Sequence, residues 1–200
     1  LDDCQGASAY DSSGNSNTGT ITIGASGTQT SVGTCTGSAN TAWKDGVTGK
    51  RNYSLNFDGT DDYMDAASSN SLNLTAGSSV SMCAWIYPKA SPGAGWFSVM
   101  AKRDDGLGTP YAYGINYDNN GNFQVYTSGT SGVRSFNYTP TLNTWTHVCG
   151  VISSSPTAFY NNGVLFGTAG SGGGVASNAA TFKIAKSSTT GVNTEYFNGQ

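Results

Sequence analysis

Apolar and polar residues alternate along much of this chain, in short runs separated by turn-forming residues. The clearest runs cover residues 79–87, 96–102, 111–117 and 144–152, and the first of them stops at Pro88. A period of two is typical of β-strands that bury one face. The pattern therefore predicts strands throughout, and no segment shows a helical period.

Turn signals lie between these runs. Asn161-Asn-Gly163 is a strong hairpin signal, because Asn-Gly accepts positive φ at both central positions of a tight turn. Asp118-Asn-Asn-Gly-Asn122 predicts a second hairpin. Further strands are predicted at 20–23, 53–57, 63–66, 123–127, 135–138, 158–160, 164–166, 182–185 and 195–197, with Asp58-Gly59 as a turn. This series of short strands predicts an all-β, two-sheet antiparallel jelly-roll sandwich.

Length and composition narrow the classes of protein. The 200 residues suit a single domain over 1–200, with a polar Gly/Ser/Thr insertion around 25–42. Aromatic residues make up 12% and argue against disorder, whereas a net charge of −3 with scattered Lys and Arg argues against nucleic acid as a partner. No run approaches the roughly 18 apolar residues of a membrane helix, so no membrane insertion is expected.

The chain has four cysteines and one histidine, without a CxxC pair that would favour zinc. An even count in a chain poor in charge predicts two disulfides and an extracellular or cell-surface location. Three pairings are open, and buried free thiols are the alternative. A Cys4–Cys35 bridge would tie down the polar insertion. The other two cysteines are Cys83 and Cys149.

Six segments, in order, carry a resemblance to a known family: YDSSGNSNTGT at 10–20, SLNFDGTDDY at 54–63, VSMCAWIY at 80–87, WTHVCGV at 145–151, YNNGV at 160–164 and YFNGQ at 196–200. Together they resemble the laminin-G-like, concanavalin A-like jelly-roll domains of bacterial surface and secreted proteins. Pentraxins share that fold and bridge two strands at similar positions, so the resemblance implies a Cys83–Cys149 disulfide, with Cys4–Cys35 as the second.

The resemblance also implies one more strand after Gln200, so we expect this sandwich to lack its final strand. A missing strand would leave a neighbour's backbone unpaired and open to strand addition. The rest of a larger surface protein, or a neighbouring subunit, is then an expected partner.

The charged residues argue against catalysis. Glucanases of this fold use two carboxylates about 5 Å apart, supplied by paired glutamates, but Glu195 is the one glutamate of this chain. His147 lies in a predicted strand without the Gly-x-Ser-x-Gly motif that accompanies a catalytic serine. The sequence therefore predicts that the protein is not an enzyme.

Two oxygen-rich groups are candidates for a structural calcium ion, which prefers carboxylate, amide and carbonyl oxygens. The first is a loop with Asp11, Asn15 and Asn17, and the second contains Asp61 and Asp62. The alternative for both is a turn in which Asp and Asn accept hydrogen bonds from their own backbone.

Aromatic residues suggest a ligand surface. Tyr111, Tyr113 and Tyr117 share one parity, and Gln124 and Tyr126 lie on the next predicted strand. They predict a platform for sugar rings, or else tyrosines of an ordinary core. Other candidates for ligand contact are Trp96, Lys102, Arg103 and Asp104. The residues expected in the core are Trp85, Trp145, Phe57 and Phe123.

These features predict a non-catalytic extracellular module that binds a glycan, on a bacterial cell-surface, pilus-like or secreted protein. The alternative is a structural or adhesive assembly module that binds a surface protein instead of a small ligand.

Overall fold

The computed structural model describes residues 3–45, 50–93, 95–107, 111–127, 132–154, 156–170, 173–188 and 195–200. Within these ranges the chain forms strands and turns but no helix. The described residues therefore contain no helix long and apolar enough to cross a membrane.

The described ranges contain sixteen strands, many of them short. They are β1 Ser8–Ala9, β2 Gly19–Thr22, β3 Trp43–Lys44, β4 Ser54–Leu55, β5 Phe57–Asp58, β6 Tyr63–Ala66, β7 Val80–Ile86, β8 Trp96–Arg103, β9 Tyr111–Asp118, β10 Asn122–Tyr126, β11 Val133–Asn137, β12 Thr146–Ile152, β13 Thr157–Asn161, β14 Val164–Ala169, β15 Phe182–Ile184 and β16 Asn198–Gly199.

The strands form two main antiparallel sheets. The larger has the order β1-β2-β6-β15-β8-β9-β10-β11, and the smaller has the order β14-β13-β12-β7. Two short pairs, β3 with β4 and β5 with β16, lie outside them. The predicted all-β sandwich is confirmed. That residues 1–200 form one domain, and that its final strand is missing, stay predictions.

The core lies between the two main sheets. Phe123 of β10 stacks on Phe159 of β13 with ring centroids 4.1 Å apart. Val125 faces Gly150 of β12 so closely that a Cβ there would lie 2.8 Å from its side chain. Glycine at this position therefore lets the sheets approach to packing distance.

Both predicted hairpins form. Asn162 and Gly163 adopt φ angles of 50° and 80°, as a two-residue hairpin turn requires. In the β9–β10 turn, Asp118 accepts hydrogen bonds from the backbone N–H groups of Asn120 and Asn122 at 2.8 and 3.0 Å.

Two predicted strands are wrong in detail. The run 53–57 is split into β4 and β5, because the two halves pair with different strands, β4 with β3 and β5 with β16. Residues 195–197 are not a strand, because Glu195 has a left-handed φ of 46°, and pairing begins only at β16. The short strands β1 and β3 have too few residues to show a period.

The two disulfides are Cys4–Cys35 and Cys83–Cys149, and no cysteine is free. Both implied pairings are confirmed. The Cys35 N–H also donates to the Cys4 carbonyl at 2.9 Å. The first disulfide thus holds the polar insertion, while the second joins the neighbouring strands β7 and β12.

Candidate functional site

One face of the large sheet carries polar side chains directly behind the core. Ile115 and Tyr117 of β9 point into the core, so Asn116 between them points to the opposite face. Asn116 aligns with Ser98 of β8 on one side and Gln124 of β10 on the other. We call this surface, over β8, β9 and β10, the outer face.

Arg103, at the end of β8, is the central charge of the outer face and is only 2% exposed. Its guanidinium donates to both carboxylate oxygens of Asp105, at 2.7 and 3.0 Å, and to Glu195 at 3.3 Å. It also lies 4.4 Å from the ring centre of Tyr111 and 5.9 Å from that of Tyr126. Ion pairs and ring faces together compensate the burial of this cation.

Glu195 lies against the same group of residues. Burial raises its pKa, whereas the nearby Arg103 cation and hydrogen bonds from Ser187 and Asn116 act in the opposite direction. Asn116 also donates from Nδ2 to the Tyr126 hydroxyl. The left-handed backbone at Glu195 is an uncommon conformation for a residue other than glycine.

The outer face has unused hydrogen-bonding capacity. Among the described residues, nothing partners Ser98 Oγ or Asn116 Oδ1, although both atoms are buried. Tyr111 and Gln124 are half-buried, and Gln124 donates to Ser135 Oγ at 3.1 Å. Aromatic rings beside planar amide and guanidinium groups can orient a ligand rich in hydroxyls.

The structure separates the tyrosines that the sequence grouped. Tyr111 and Tyr126 are on the outer face with ring centroids 5.0 Å apart, together with Gln124. The predicted platform is wrong for Tyr113 and Tyr117, which are 4% and 1% exposed and belong to the core. Their large rings fill the space between the sheets, and the Tyr113 hydroxyl donates to a backbone carbonyl at 2.8 Å.

Sequence reasoning missed Asn116, and it considered Glu195 only as a catalytic residue. Asn116 directly precedes Tyr117 in an alternating strand, so their side chains point to opposite faces of the sheet. This alternation is the signal that places Asn116 outside the core. Glu195 is 92 positions from Arg103, and that distance in sequence hides their contact.

A second polar group lies near the ends of β5 and β6. One carboxylate oxygen from each of Asp58, Asp61 and Asp62 falls within 4.8 Å of the others. Asp62 is completely buried, and burial, with the charges of Asp58 and Asp61, raises its pKa to about 6. These negative groups repel one another unless a proton or a cation lies among them.

The donor set of this acidic group fits calcium. Backbone N–H groups of Gly24 and Ser26 donate to Asp62 and Asp61 at 3.1 and 2.9 Å, which orients the carboxylates. Asp61 Oδ1 is buried and has no partner in the described part of the chain. Carboxylates with a free oxygen are the ligands that calcium prefers.

The other predicted metal loop is arranged differently. Asp11 accepts backbone hydrogen bonds from Ser13 and Asn17, each at 2.8 Å, as in an Asx turn. Asn17 Oδ1 accepts from the Ser69 and Ser71 hydroxyls. The structure thus brings Asp11 and Asn17 together, while Asn15 is exposed and bonds to Ser13. Asp61 and Asp62 gather with Asp58.

Comparison with known proteins places the fold. Residues 58–200, more than half of the chain, match the laminin-G-type family model of the concanavalin A-like lectin/glucanases superfamily. The chain belongs to this superfamily. The resemblance seen in the sequence is therefore confirmed, and the protein has a carbohydrate-binding, lectin-like fold.

Solved structures agree on the fold. The chain is similar to domain 4 of AbnA, an extracellular arabinanase from Geobacillus stearothermophilus in complex with arabinotriose, at 18% identity and a TM-score of 0.63, covering 95% of this chain and 82% of that one. It is also similar to a protein from Bacteroides ovatus assigned as carbohydrate-binding, at 15% identity and a TM-score of 0.53, covering 75% and 45%.

A third similarity is to Trypanosoma rangeli sialidase, at 19% identity and a TM-score of 0.51, covering 71% of this chain and 23% of the sialidase. This chain thus spans less than a quarter of the sialidase's length. Among curated proteins there is no significant match. At these identities the likeness concerns the fold, and the assignment of a site depends on the residues described above.

Proposed function

We propose that the protein is a non-catalytic, extracellular carbohydrate-binding module whose ligand lies on the outer face. The observation that carries this proposal is that the half-buried Tyr111 and Gln124 lie on one side of the sheet, next to the buried Arg103–Glu195 pair and the buried Asn116 amide. A sugar presents hydroxyl groups around an apolar ring face, and such a mixture of side chains complements both.

A binding role is favoured over hydrolysis by the state of the carboxylates. Retaining glycosidases need one carboxylate free as a nucleophile and a second that holds a proton. Here Glu195 and Asp105 both form salt bridges with the same Arg103 guanidinium, so neither carboxylate is free to act as a nucleophile. The extracellular location is supported by the two disulfides.

The experiment is a calorimetric titration of the protein with arabinotriose, which the similar arabinanase domain binds, and with gluco-, xylo- and sialyl-oligosaccharides. We expect saturable binding of one of these classes and no release of shorter sugars. Tyr111→Ala should weaken binding at least about tenfold, since a stacking ring contributes more than 1 kcal/mol.

The matched control is Tyr10→Ala, which removes an exposed tyrosine next to β1, at the opposite edge of the same sheet. Its affinity should equal that of the unmodified protein. If the Tyr111→Ala variant bound with the affinity of the unmodified protein, the assignment to the outer face would be overturned. Hydrolysis of any sugar would overturn the non-catalytic role. If no sugar of the panel bound, carbohydrate binding itself would be rejected.

We also propose that Asp58, Asp61 and Asp62 hold a structural calcium ion. The support is the close approach of three carboxylates together with the unpartnered Asp61 Oδ1. A bound cation would offset their mutual repulsion and keep the β5–β6 turn attached to the Gly24 and Ser26 backbone.

A further inference from the structure

The outer face extends beyond β8, β9 and β10. Lys183 of β15 is opposite Ala101 of β8 and, on its other side, Asp65 of β6. Ala101 in turn is opposite Gly114, which has the same parity on β9 as Asn116. Cross-strand neighbours point to the same side of a sheet, so Lys183 and Asp65 also belong to the outer face.

The cations of this surface are buried in it. Arg103, Lys183 and Lys186 are 2%, 1% and 8% exposed. The Lys183 ammonium donates to the Arg103 and Thr181 carbonyls at 3.1 and 3.2 Å. The Lys186 ammonium lies 4.0 Å from the ring centre of Tyr63 on β6. Each of these cations therefore has partners inside the protein and is closed to solvent.

The carboxylates around these cations are more exposed than the cations themselves. The side chains of Asp105 and Glu195 are 18% and 12% exposed, and Asp65 and Asp104 are half-buried. Burial lowers the pKa of Lys183, whereas the charges of Asp104 and Asp65 oppose this shift, so both carboxylates lie near that lysine. A ligand that approaches the outer face therefore meets carboxylates before it meets a cation.

The polar groups that remain for a ligand are largely acceptors. The Arg103 guanidinium already donates from Nε and Nη2 to Asp105 and from Nη1 to Glu195. Ionised carboxylates only accept hydrogen bonds, and so does the Asn116 Oδ1 atom, which has no partner among the described residues. The complement of such a surface is a ligand that donates hydrogen bonds, as sugar hydroxyl groups do.

From these observations we propose that the outer face selects neutral glycans, whose hydroxyl groups donate to Asp105 and Glu195, and rejects glycans that carry a negative charge. This inference rests on the function proposed above and names the class of its ligand. Like charges brought together across a binding surface oppose association and exclude wrong partners. The stretches 108–110, 128–131 and 189–194, which lie outside the described residues, contain no charged residue and so add no cation to this balance.

An acidic sugar is the alternative that Arg103 suggests, because guanidinium groups bind carboxylates well. Here each guanidinium nitrogen already donates to Asp105 or Glu195, so a ligand carboxylate would have to displace one of them. The displaced side chain would stay partly buried beside the new negative charge. This arrangement keeps the repulsion and removes a salt bridge, so it is disfavoured.

The test is calorimetric titration at pH 7 with sugars that differ by a carboxylate. The pairs are xylotriose with and without a glucuronic acid substituent, galactotriose with trigalacturonic acid, and lactose with 3′-sialyllactose, and arabinotriose is a further neutral sugar. We expect the tightest neutral sugar to bind at least about tenfold more tightly than every acidic sugar of the set. An acidic sugar that bound equally well or better would overturn this inference and leave carbohydrate binding standing. Absence of binding by all of them would reject both.

The salt dependence separates charge repulsion from steric exclusion. Salt screens charges, so raising sodium chloride from about 20 mM to about 1 M should narrow the difference between neutral and acidic sugars. An additional carboxylate that merely failed to fit would be excluded equally at both salt concentrations. A difference that did not change with salt would therefore overturn the electrostatic basis of the selection.

Protein variants give an independent measurement. Asp105→Asn and Glu195→Gln each remove one carboxylate of the outer face at nearly constant shape, so the affinity for acidic sugars relative to neutral ones should rise at least about threefold. The matched control is Asp11→Asn, which removes the same charge next to β1 at the opposite edge of the sheet and should leave that ratio unchanged. Should the outer-face variants fail to fold, the salt series on the unmodified protein still decides. Folded variants with an unchanged ratio would overturn the proposal.

Discussion

Replacing Arg103 by methionine removes the central charge of the outer face while keeping an apolar stem of similar length. The guanidinium is 2% exposed, and the side chains of its partners Asp105 and Glu195 are 18% and 12% exposed. Methionine would leave two partly buried carboxylates without their cation. Breaking a buried ion pair in this way costs about 3–5 kcal/mol, and residual hydration of the carboxylates favours the lower value.

The penalty should depend on pH in a defined direction. Burial raises the pKa of Glu195 above its ordinary 4.5, and Arg103 opposes that rise. Without Arg103 the folded-state pKa rises further above the unfolded value. When a carboxyl group has a higher pKa in the folded state than in the unfolded state, the protein loses stability as the pH increases from the unfolded-state pKa to the folded-state pKa. The Arg103→Met variant should therefore be most destabilised at pH 7 and recover part of the loss near pH 5.

Urea unfolding at pH 7 and pH 5 measures these effects, with Glu195→Gln and the double variant completing the cycle. The double variant should be more stable at pH 7 than Arg103→Met alone, because glutamine removes one of the two uncompensated charges. A loss below about 1 kcal/mol for Arg103→Met, or a loss independent of pH and not reduced in the double variant, would refute the reasoning.

Three further predictions concern metal, core and disulfide. Calcium at a hundredfold excess over its dissociation constant should add about 2.7 kcal/mol of stability to chelator-treated protein, and Asp61→Asn should abolish the gain; an unchanged melting temperature would reject the ion. Phe159→Ala should cost about 3–5 kcal/mol in chemical denaturation because its ring is fully buried. Phe166→Ala, at an exposed position, should cost less than half as much, and equal losses would contradict the packing. Replacing Cys4 and Cys35 by serine should cost about 3–4 kcal/mol from the entropy of the 31-residue loop, and unchanged urea unfolding would argue against this constraint.

Local features of the sequence were sufficient for much of the fold. Strands such as β7 and β12 were predicted because a half-buried strand requires alternation within its own few residues. The Asn162-Gly163 turn was predicted because positive φ is a property of the residues in the turn. Family-wide motifs extended this to the two disulfide pairings, which depend on contacts distant in sequence.

The candidate site was only partly predictable. Tyr111, Gln124 and Tyr126 lie together on the outer face, whereas Tyr113 and Tyr117 share a parity with Tyr111 but lie in the core. Parity states which residues of one strand share a side, but it does not state which side faces the other sheet, or where a strand end departs from the pattern.

By itself, the sequence determined the class of fold, the rhythm of its strands and turns, and a chain with few charges. Only the tertiary structure decided what those charges do. It brought Glu195 to Arg103 across 92 residues and gathered Asp58 with Asp61 and Asp62. The physical reason is that strand formation follows from neighbouring residues, whereas a site requires side chains from distant strands to meet, and sheet order and register decide which ones do.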